Sequence, residues 1–478
     1  MIPNVRITRR ALGVIMLASG AITLMAVVFA GDVNSDSKLF GMLPTAAHDP
    51  GPRPGPPGAG GPLPGLTSTN LAFFNIGLDD FQQVQQVQGD AKGLGPRFNL
   101  DSCGGCHSQP AVGGTSPFVN PQVAAAKTNG AQNKVPFFVH PNGPVREARF
   151  PYHPNGTRDG GVHDLYTITG RADAPGCTLA QPDFDQQASR GNIIFRIPTP
   201  VFGAGLIEAI PDSAILANMA AEQSEKATLG IKGRPNRRGP GNVHTSGSPN
   251  TSGNDGSITR FGWKAQNKSL LIFSGEAYNV EMGVTNEMFP TERDETPSCQ
   301  FNPTPEDHTT FDAQTVGDSI SDTMKFATFM RFLAPPTPAP DTPSIVNGRA
   351  LFKQVGCALC HTPVLMTGAS SIDATLNKQP VRLFSDLLLH NMGPNLADNI
   401  IQGGAGPDEF KTAPLWGVGQ RLFFLHDGRA GTLLEAIQAH ASHGNQYYPP
   451  SEANAVIARF NALPEPEKQN IVDFLRGL

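Results

Sequence analysis

Two five-residue stretches of the sequence bring two thiols and an imidazole together at the same spacing. They read CGGCH at residues 103–107 and CALCH at residues 357–361. Two CxxC pairs can supply four thiolates to a tetrahedral zinc ion, but these pairs lie in distant parts of the chain and neither has a nearby partner pair. A redox dithiol explains each CxxC pair but gives no reason for the histidine that follows both of them.

Covalent haem attachment accounts for all of these residues. Thiols at positions i and i+3 of a helical turn can reach the two vinyl groups of one porphyrin, and the next residue then presents its imidazole to the iron as the proximal ligand. We therefore predict two covalently bound c-type haems, with zinc and dithiol chemistry as the alternatives. The predicted attachment residues are Cys103, Cys106, His107, Cys357, Cys360 and His361.

Residues 1–30 have the pattern of an export signal. Arg6, Arg9 and Arg10 precede an apolar run over residues 11–30 that ends on small residues. Because about 20 apolar residues can also span a bilayer, the segment is either a cleaved signal peptide or a retained anchor in the inner membrane. In both cases we expect a periplasmic or otherwise exported protein.

Two cysteines lie outside the CxxCH motifs, Cys177 and Cys299. An exported chain works in a compartment where disulfides persist, so the sequence predicts a structural disulfide between them. Free buried thiols are the alternative.

The composition excludes some classes of function. The 478 residues carry a net charge of -5, so nothing suggests nucleic-acid binding. Gly (52 residues) and Pro (44 residues) are frequent, which predicts long loops and modest regular structure. The length is sufficient for two or three domains.

Two Pro-rich breaks divide the chain. Residues 31–68 form a predicted linker whose Pro/Gly part, residues 48–65, is expected to be a tether without a core of its own. The second break is APPTPAPDTP at residues 334–343. Folded material is therefore predicted at residues 69–334 and 344–478.

The fold is predicted to be mainly α with extensive loops, in two cytochrome c-like haem domains. The C-terminal segment contains three helical patterns, in SIVNGRALFKQV, GTLLEAIQAH and PEPEKQNIVDFLRGL. The N-terminal segment carries large insertions: its apolar runs at residues 192–210 and 268–280 suit either short strands or helix pieces, and residues 233–257 form a polar loop.

Six stretches of the sequence together resemble the di-haem oxidoreductases, also labelled thiol-oxidoreductase-like and related to bacterial di-haem cytochrome c peroxidases. The likeness runs in order through most of residues 70–478. The stretches are GLGPRFNLDSCGGCH, RIPTPVFGAGLIEAIPDSAI, RFGWKAQNKSLL, VGCALCHTP, SDLLLHNMGPNLAD and FFLHDGRAGTLLEAI.

The resemblance implies a division of labour between the haems. One is an electron entry port, expected on His361, and the other, on His107, meets hydrogen peroxide or another small substrate. It implies a redox donor protein such as a small cytochrome or cupredoxin, and relatives also hold a calcium ion or form a homodimer. No calcium ligands are identified in this sequence.

The sixth iron ligand decides what each haem can do, since Met or His closes the iron and an open position permits chemistry. In the related peroxidases the distal Met follows an HDG motif by about fourteen residues, and here that position is His440. The resemblance therefore implies a bis-His haem on His361, with His443 and then Met392 as alternatives. The C-terminal candidates are His390, Met392, His426, His440 and His443. Of these, His426 belongs to HDG itself and is expected to shape the loop without binding iron.

We expect the N-terminal haem to be open or weakly ligated. Its histidine candidates, His140, His153 and His163, lie in Pro/Gly-rich sequence and suit surface loops. Peroxide cleavage needs an acid or base near the iron. Glu208 and Glu281 lie in stretches that resemble the family and are the predicted catalytic groups, while solvated or helix-capping roles are the alternative for both.

Trp263 and Trp416 are the two tryptophans of the chain. Each suits either a position between the haems, where it would assist electron transfer, or a buried core. The predicted function is that of an exported di-haem c-type oxidoreductase, peroxidase-like. The alternative is a non-enzymatic electron-transfer cytochrome with both haems six-coordinate, and a further alternative uses the same cofactors to mature a partner protein or attack a polymer.

Overall fold

The computed structural model describes residues 46–237, 257–294, 296–370 and 372–478. They belong to one compact unit, Pro44–Leu478. The predicted export segment, residues 1–30, lies outside the described residues, as do residues 31–45 of the linker and most of the predicted loop at 233–257.

The described residues are mainly helical, as the sequence predicts, and long loops connect short helices. No helix among them is long and apolar enough to cross a membrane. The α-helices are α1 Ser68–Gln82, α2 Cys103–Cys106, α3 Gln122–Ala125, α4 Phe184–Ser189, α5 Ala204–Glu208, α6 Asp212–Ala220, α7 Gln223–Leu229, α8 Leu270–Met282, α9 Val316–Ser319, α10 Asp322–Phe332, α11 Pro343–Val355, α12 Leu433–Ala439, α13 Asn454–Asn461 and α14 Glu465–Gly477.

The strands are short and pair as two-stranded antiparallel ladders, β1 with β3, β2 with β4, β5 with β6 and β7 with β8. They are β1 Arg97–Phe98, β2 Glu147–Arg149, β3 Tyr166–Thr167, β4 Ile194–Arg196, β5 Leu365–Met366, β6 Pro380–Val381, β7 Leu389–Asn391 and β8 Glu409–Lys411. The 3-10 turns are Thr128–Gly130, Pro297–Cys299, Cys357–Leu359, Ala374–Leu376 and Val418–Gln420. The two apolar runs that suited either strands or helices differ in structure. Residues 192–210 contain β4 and α5, and residues 268–280 contain most of α8.

A close helix crossing supports the first CxxCH motif. Helix α1 packs against α10 through Gly77, where any Cβ would collide with the backbone oxygen of Lys325. One turn later on each helix, the rings of Phe81 and Phe329 lie 4.7 Å apart. Phe81 also contacts His107 edge-on, at 5.9 Å between ring centroids. The crossing therefore supplies the apolar wall against which this imidazole lies.

The same arrangement recurs at the second CxxCH motif. Helix α11 packs against α14 through Gly348, where a Cβ would collide with the backbone oxygen of Asn470. One turn later Phe352 and Phe474 are 5.3 Å apart, and Phe352 lies 6.2 Å from the ring of His361. The two motifs thus occupy equivalent frames, each built from a Gly-x-x-x-Phe helix that crosses a later helix.

The apolar core forms two large clusters. One is built mostly from residues 63–333, and the other lies within residues 345–478. The first also takes in Leu365, Leu383 and Trp416 from the C-terminal segment, so the two segments pack continuously against one another. The division into two cytochrome c-like domains stays a prediction.

The Pro/Gly segment at residues 46–65 differs from the tether expected from the sequence, because it packs on the folded body. Asp49 accepts two hydrogen bonds of 2.7 Å from the Arg476 guanidinium in α14. The Leu63 amide donates to the Phe332 carbonyl at 2.7 Å, and the Leu63 side chain is buried. Backbone groups of a segment with few apolar side chains still need partners, and here neighbouring loops and helix ends provide them.

The predicted disulfide is confirmed. Cys177 and Cys299 are bonded, with their Cα atoms 4.7 Å apart, and both residues are buried. The bond fixes the 3-10 turn Pro297–Cys299 to the loop that precedes α4.

Candidate functional site

The first CxxCH motif opens onto a cavity with an empty volume of about 1120 Å3, which includes its open side. Ligand and cofactor sites typically enclose about 300–1,000 Å3, so a cavity of this size has room for a cofactor. We call it the first cavity. Cys103, Cys106 and His107 line it together with side chains of β2, β4, α8 and α10.

The backbone groups of Gly114 and Thr199 both hold the ring of His107. Its Nδ1 hydrogen-bonds to the backbone oxygen of Gly114 at 3.0 Å, an arrangement that places the proton on Nδ1 and makes Nε2 the nitrogen that a metal would use. Burial lowers the pKa of His107 to about 4, so the imidazole is neutral at physiological pH. A neutral, oriented imidazole is the form that binds iron.

The buried thiols have the wrong acidity for a redox dithiol. Burial raises the pKa of Cys103 to about 12 and also raises that of Cys106 well above its usual range. Cys357 in the second motif has a pKa of about 12 for the same reason. Reactive dithiols depend on a lowered pKa and a stable thiolate, so this environment does not favour the dithiol alternative.

A pair of carboxyl groups lies in the wall of the first cavity. Glu147 and Glu281 share a hydrogen bond. Burial, followed by the charge of Glu147, raises the pKa of Glu281 well above its usual range. Burial also opposes ionisation of Glu147, but Arg149, the hydrogen bond with Glu281 and the charge of Arg196 together outweigh it and lower the pKa of Glu147 to about 2. Glu281 is therefore a protonated acid at neutral pH, hydrogen-bonded to a carboxylate.

Asn99 extends this pair into the protein. Its Nδ2 donates to Glu281 Oε2 at 2.8 Å and to Asp164 Oδ1 at 3.1 Å. Because Oε2 accepts from Asn99, the proton of Glu281 is best placed on Oε1. Burial raises the pKa of Asp164 to about 7, against the opposing charges of Arg293 and Arg97.

The β2–β4 ladder and α8 position these groups. In the ladder Glu147 pairs directly with Arg196, and Arg149 projects from the same face as Glu147 because residues i and i+2 of a strand do so. All three line the first cavity, and α8 brings Glu281 to the same wall. The charged side chains of the β2–β4 ladder therefore line the first cavity together with Glu281 of the buried helix α8.

Glu208, the other predicted catalytic group, lies elsewhere. It does not line the first cavity. One carboxylate oxygen accepts from the Leu270 amide at the start of α8, at 2.8 Å, and the other accepts from Arg331 Nε at 2.8 Å. This placement favours the helix-capping role over the catalytic one.

The N-terminal histidine candidates do not face the first cavity, in which His107 is the one histidine among the described lining residues. His140 and His153 are exposed. His163 bonds through Nε2 to Asp159 at 2.7 Å and stacks on Phe150. The cavity therefore offers no second imidazole from the described residues.

The second CxxCH motif has a different environment. His361 Nδ1 bonds to the Phe384 backbone oxygen at 3.1 Å, and the ring of His440 faces it at 6.5 Å between centroids. His440 Nδ1 is held by the Ala436 backbone oxygen at 2.7 Å, which leaves its Nε2 available. Burial, and then the charge of His440, lowers the pKa of His361 to about 4. Burial also lowers the pKa of His440.

The competing ligand candidates are placed less favourably. His443 is exposed. The backbone amide of Met392 is tied to Asp408, and no described contact joins its side chain to His361. His426 stacks on Phe410 at 4.4 Å between centroids, as expected for a residue that shapes its loop.

His390 is bonded at both ring nitrogens. Nε2 contacts Asp386 at 2.9 Å and Nδ1 contacts Glu452 at 2.8 Å. In the described part of the chain, Cys360, Asp386 and His390 are the one group of possible metal ligands within mutual reach. It contains a single thiol, so the two CxxC pairs do not assemble into one zinc site.

The sequence was compared with known proteins. One protein-family model, described as "Di-haem oxidoreductase, putative peroxidase", matches residues 164–478, more than half of the sequence. The chain belongs to the di-haem oxidoreductase family. The matched range includes the CxxCH at 357–361 but not the one at 103–107. A search among curated proteins finds no match.

Several solved structures resemble this di-haem oxidoreductase, but both the sequence identities and the TM-scores are low. Hydrazine synthase of Kuenenia stuttgartiensis is 20% identical, with 34% of this chain and 56% of that chain covered and a TM-score of 0.22. The diheme peroxidase BthA of Burkholderia thailandensis is 17% identical (46% and 65% covered, TM-score 0.29). A MauG-like protein associated with microbial copper homeostasis is 14% identical (59% and 90% covered, TM-score 0.28). The chain thus spans less than two thirds of the first two.

Members of the di-haem oxidoreductase family have two haem cofactors, and the residues of this chain fit two such groups. At each motif two thiols precede an imidazole whose Nδ1 is held by a backbone oxygen. In the first cavity the Nε atoms of Arg146 and Arg196 are buried and have no hydrogen-bond partner within the part of the chain that the structure describes. Guanidinium donors of this kind suit the carboxylates of a porphyrin.

A second cavity of the di-haem oxidoreductase, with an empty volume of about 600 Å3, adjoins the first. Trp263 lines both cavities and donates from Nε1 to the Ile197 carbonyl at 2.9 Å. Trp416 lines the second cavity and packs so closely on Gly203 that a Cβ there would lie 2.6 Å from its ring. Both tryptophans therefore lie where the two segments meet.

The sequence reasoning missed Glu147, Asn99 and Asp164. The signal for Glu147 was present, because Glu-Ala-Arg-Phe at 147–150 alternates charged and apolar residues as a strand does. Asn99 and Asp164 gave no such signal, since their contact depends on loops that are distant in sequence.

Proposed function

We propose that this chain is an exported di-haem c-type oxidoreductase with peroxidase-like activity. Electrons enter at the haem on His361 and pass to the haem on His107, where a small oxidant such as hydrogen peroxide is reduced. The proposal is carried by one asymmetry: His361 faces a second imidazole, whereas His107 faces a cavity whose wall contains a protonated carboxyl group. A closed iron suits electron transfer and an open one suits chemistry.

Attachment is proposed to be covalent at both motifs. Each cysteine thiol adds across one vinyl double bond, so that a C–S bond forms and the thiol hydrogen passes to the neighbouring carbon. The neutral, high-pKa thiols of Cys103 and Cys357 are compatible with groups that end as thioethers. His107, His361 and His440 are the proposed iron ligands.

The proposed chemistry of the first cavity depends on proton control. When bound, a haem supplies redox-active iron and the electrons that reduce the oxidant. Reducing one hydrogen peroxide to two waters consumes two electrons and two protons. Glu281 is placed to donate a proton from Oε1 to the departing oxygen, and Glu147 and Asn99 hold that proton in position. Solvent then returns the proton to Glu281.

The electron donor and the compartment are part of the proposal. We propose a small redox protein, a cytochrome or a cupredoxin, as donor, and the periplasm as the site of action. The Cys177–Cys299 disulfide supports an oxidising compartment. The substrate is proposed to be small because the first cavity is largely filled once a porphyrin occupies it.

The test uses the full chain, expressed with c-type haem maturation. Two covalent haems per chain by pyridine haemochrome and mass spectrometry, a high-spin ferric EPR signal, and peroxide-dependent oxidation of a reduced small cytochrome are expected. Two low-spin haems that ignore both peroxide and cyanide would establish the electron-transfer alternative instead. A chain without covalent haem would refute c-type attachment.

A further inference from the structure

Glu292 is a buried carboxyl group that does not line the first cavity. It is 3% exposed, and its Oε1 atom is buried without a hydrogen-bond partner within the described chain. Its other oxygen, Oε2, lies 3.0 Å from the point where a Cβ on Gly283 would stand. Gly283 caps α8 two residues after Glu281. Glu292 therefore lies against the helix end that carries the acid of the first cavity.

The charges that act on Glu292 come from both the interior and the surface of the protein. Asp164 is 2% exposed. Asp294 keeps 18% of its side chain exposed and accepts two hydrogen bonds from Arg97, at 3.0 and 3.1 Å. Burial, followed by the charges of Asp164 and Asp294, raises the pKa of Glu292 well above its usual range, against the opposing charge of Arg97. Glu292 therefore holds a proton at neutral pH.

Asp164 connects with Glu281 through a shared donor. The Nδ2 atom of Asn99 lies 2.8 Å from Glu281 Oε2 and 3.1 Å from Asp164 Oδ1. Two oxygens that both lie about 3 Å from one nitrogen are close enough for a single water molecule to join them. Because burial raises its pKa to about 7, Asp164 exists in both its protonated and its charged form at neutral pH. A group that passes protons on needs both forms.

We propose that Glu292 and Asp164 form the proton-entry route that recharges Glu281 from solvent. The inference rests on the proposed function, in which each peroxide that is reduced takes a proton from Glu281. The Glu281 carboxylate then takes a proton from Asp164, Asp164 takes one from Glu292, and Glu292 takes one from solvent. Only O–H bonds form and break along the route, and no electron moves. The route opens beside the Arg97–Asp294 pair, where the surface is nearest in charge and exposure.

The direct test times the exchange of the Glu281 proton for deuterium in the loaded full chain, without peroxide. The infrared carbonyl band of protonated Glu281 is identified as the band that Glu281→Gln lacks, and its shift is followed after rapid mixing into heavy water. In Glu292→Gln and in Asp164→Asn the shift should be at least tenfold slower than in the wild type, because an amide does not take up and release a proton.

Glu306→Gln is the matched control for the exchange experiment. Like Glu292, Glu306 has one buried carboxyl oxygen without a partner among the described residues. It pairs with Lys92 at 3.6 Å instead of lying beside Asp164, so the Glu281 band of this variant should exchange at the wild-type rate.

Turnover gives a second, kinetic signature. Glu281 carries its proton before peroxide arrives, so the first turnover of Glu292→Gln should match that of the wild type in a stopped-flow trace. Later turnovers wait for a new proton, so the steady-state rate should fall at least tenfold and show a larger solvent isotope effect. Glu292→Asp restores a carboxyl group and should recover most of the steady-state rate.

Equal exchange rates of the Glu281 band in the wild type, Glu292→Gln and Asp164→Asn would overturn the route and leave the peroxidase proposal intact, because protons would then reach Glu281 from the cavity itself. Equal slowing of the first and later turnovers in Glu292→Gln would also overturn it, since a structural change has that effect. Slowed exchange in the variants of a protein that does not reduce peroxide would support the route and count against the proposed function.

Discussion

The ring centroids of His361 and His440 lie 6.5 Å apart, and the ring planes are inclined by 61°. Metal–imidazole bonds are about 2.0–2.1 Å long, and a ring centroid lies roughly 1 Å beyond its nitrogen. Two imidazoles on opposite sides of one metal ion therefore have centroids about 6 Å apart. The observed separation suits one iron between the two rings.

Replacing His440 should open that iron. We expect His440→Ala to convert one low-spin ferric haem to high spin in the EPR spectrum, with the other haem unchanged, because an axial nitrogen is lost. His443→Ala, three residues further on and exposed, is the control and should leave the spectrum as it is. If the His443 variant changes the spectrum and the His440 variant does not, the ligand assignment is reversed.

Removing the acid of the first cavity should slow turnover without loss of haem. For Glu281→Gln we expect peroxide-dependent kcat/KM to fall by about 10²–10⁴, the usual contribution of a positioned proton donor. Gln fills the same space and can still accept the bond from Asn99. Stopped-flow mixing of the reduced enzyme with peroxide measures the loss directly.

Glu208→Gln is the matched control for that experiment. Glu208 pairs with Arg331 and caps α8 outside the first cavity, so its loss should lower thermal stability and leave kcat/KM nearly unchanged. Equal losses of kcat/KM in both variants would show that Glu281 has no special role.

Asp164 should shape the pH profile. Its pKa of about 7 means that it becomes charged as pH rises through neutrality, and this charge raises the pKa of Glu281. Wild-type Glu281 therefore holds its proton to a higher pH than it would beside an uncharged residue at position 164. In Asp164→Asn the alkaline limb of the kcat/KM profile should move to lower pH. If the alkaline limb of the kcat/KM profile stays at the wild-type pH, Asp164 does not influence the proton on Glu281.

Local sequence patterns predicted the parts of the site that depend on short spacing. Residue types and short-range periodicity were sufficient to predict the CxxCH motifs, the disulfide and the helices α11, α12 and α14. The resemblance added the position of His440, which the structure places opposite His361. None of these required knowledge of how distant segments meet.

What the sequence did not reveal depends on long-range contact. The partners of Glu281 come from β2 and from loops far along the chain, and no periodic signal joins them. Residues 46–65 looked like a tether because they have few apolar side chains, yet their backbone and one carboxylate are bound by the folded body. The Gly-x-x-x-Phe repeat of α1 and α11 was visible as Gly77–Phe81 and Gly348–Phe352, but its meaning needed the crossing helices.

The bond between Asp49 and Arg476 gives a pH-dependent contribution to stability. Both side chains are buried, at 2% and 6% exposed. Burial opposes ionisation of Asp49, but hydrogen bonds from Arg476 and from the Leu433 and Gly51 amides outweigh it and lower its pKa. A carboxyl group whose pKa is lowered by folding stabilises the protein above its ordinary pKa of about 3.9. That contribution is lost as pH falls through the folded-state value.

Asp49→Asn should therefore destabilise the loaded protein at neutral pH by about 1.5–3 kcal/mol, the range for hydrogen bonds to charged groups. The difference from wild type should shrink as the solution is acidified towards the folded-state pKa of Asp49. Urea unfolding followed by tryptophan fluorescence at neutral and acidic pH measures it. Asp341→Asn, which breaks the exposed pair with Arg349, should have no measurable effect. An Asp49 variant as stable as wild type at neutral pH would mean that residues 46–65 do not hold α14 in place.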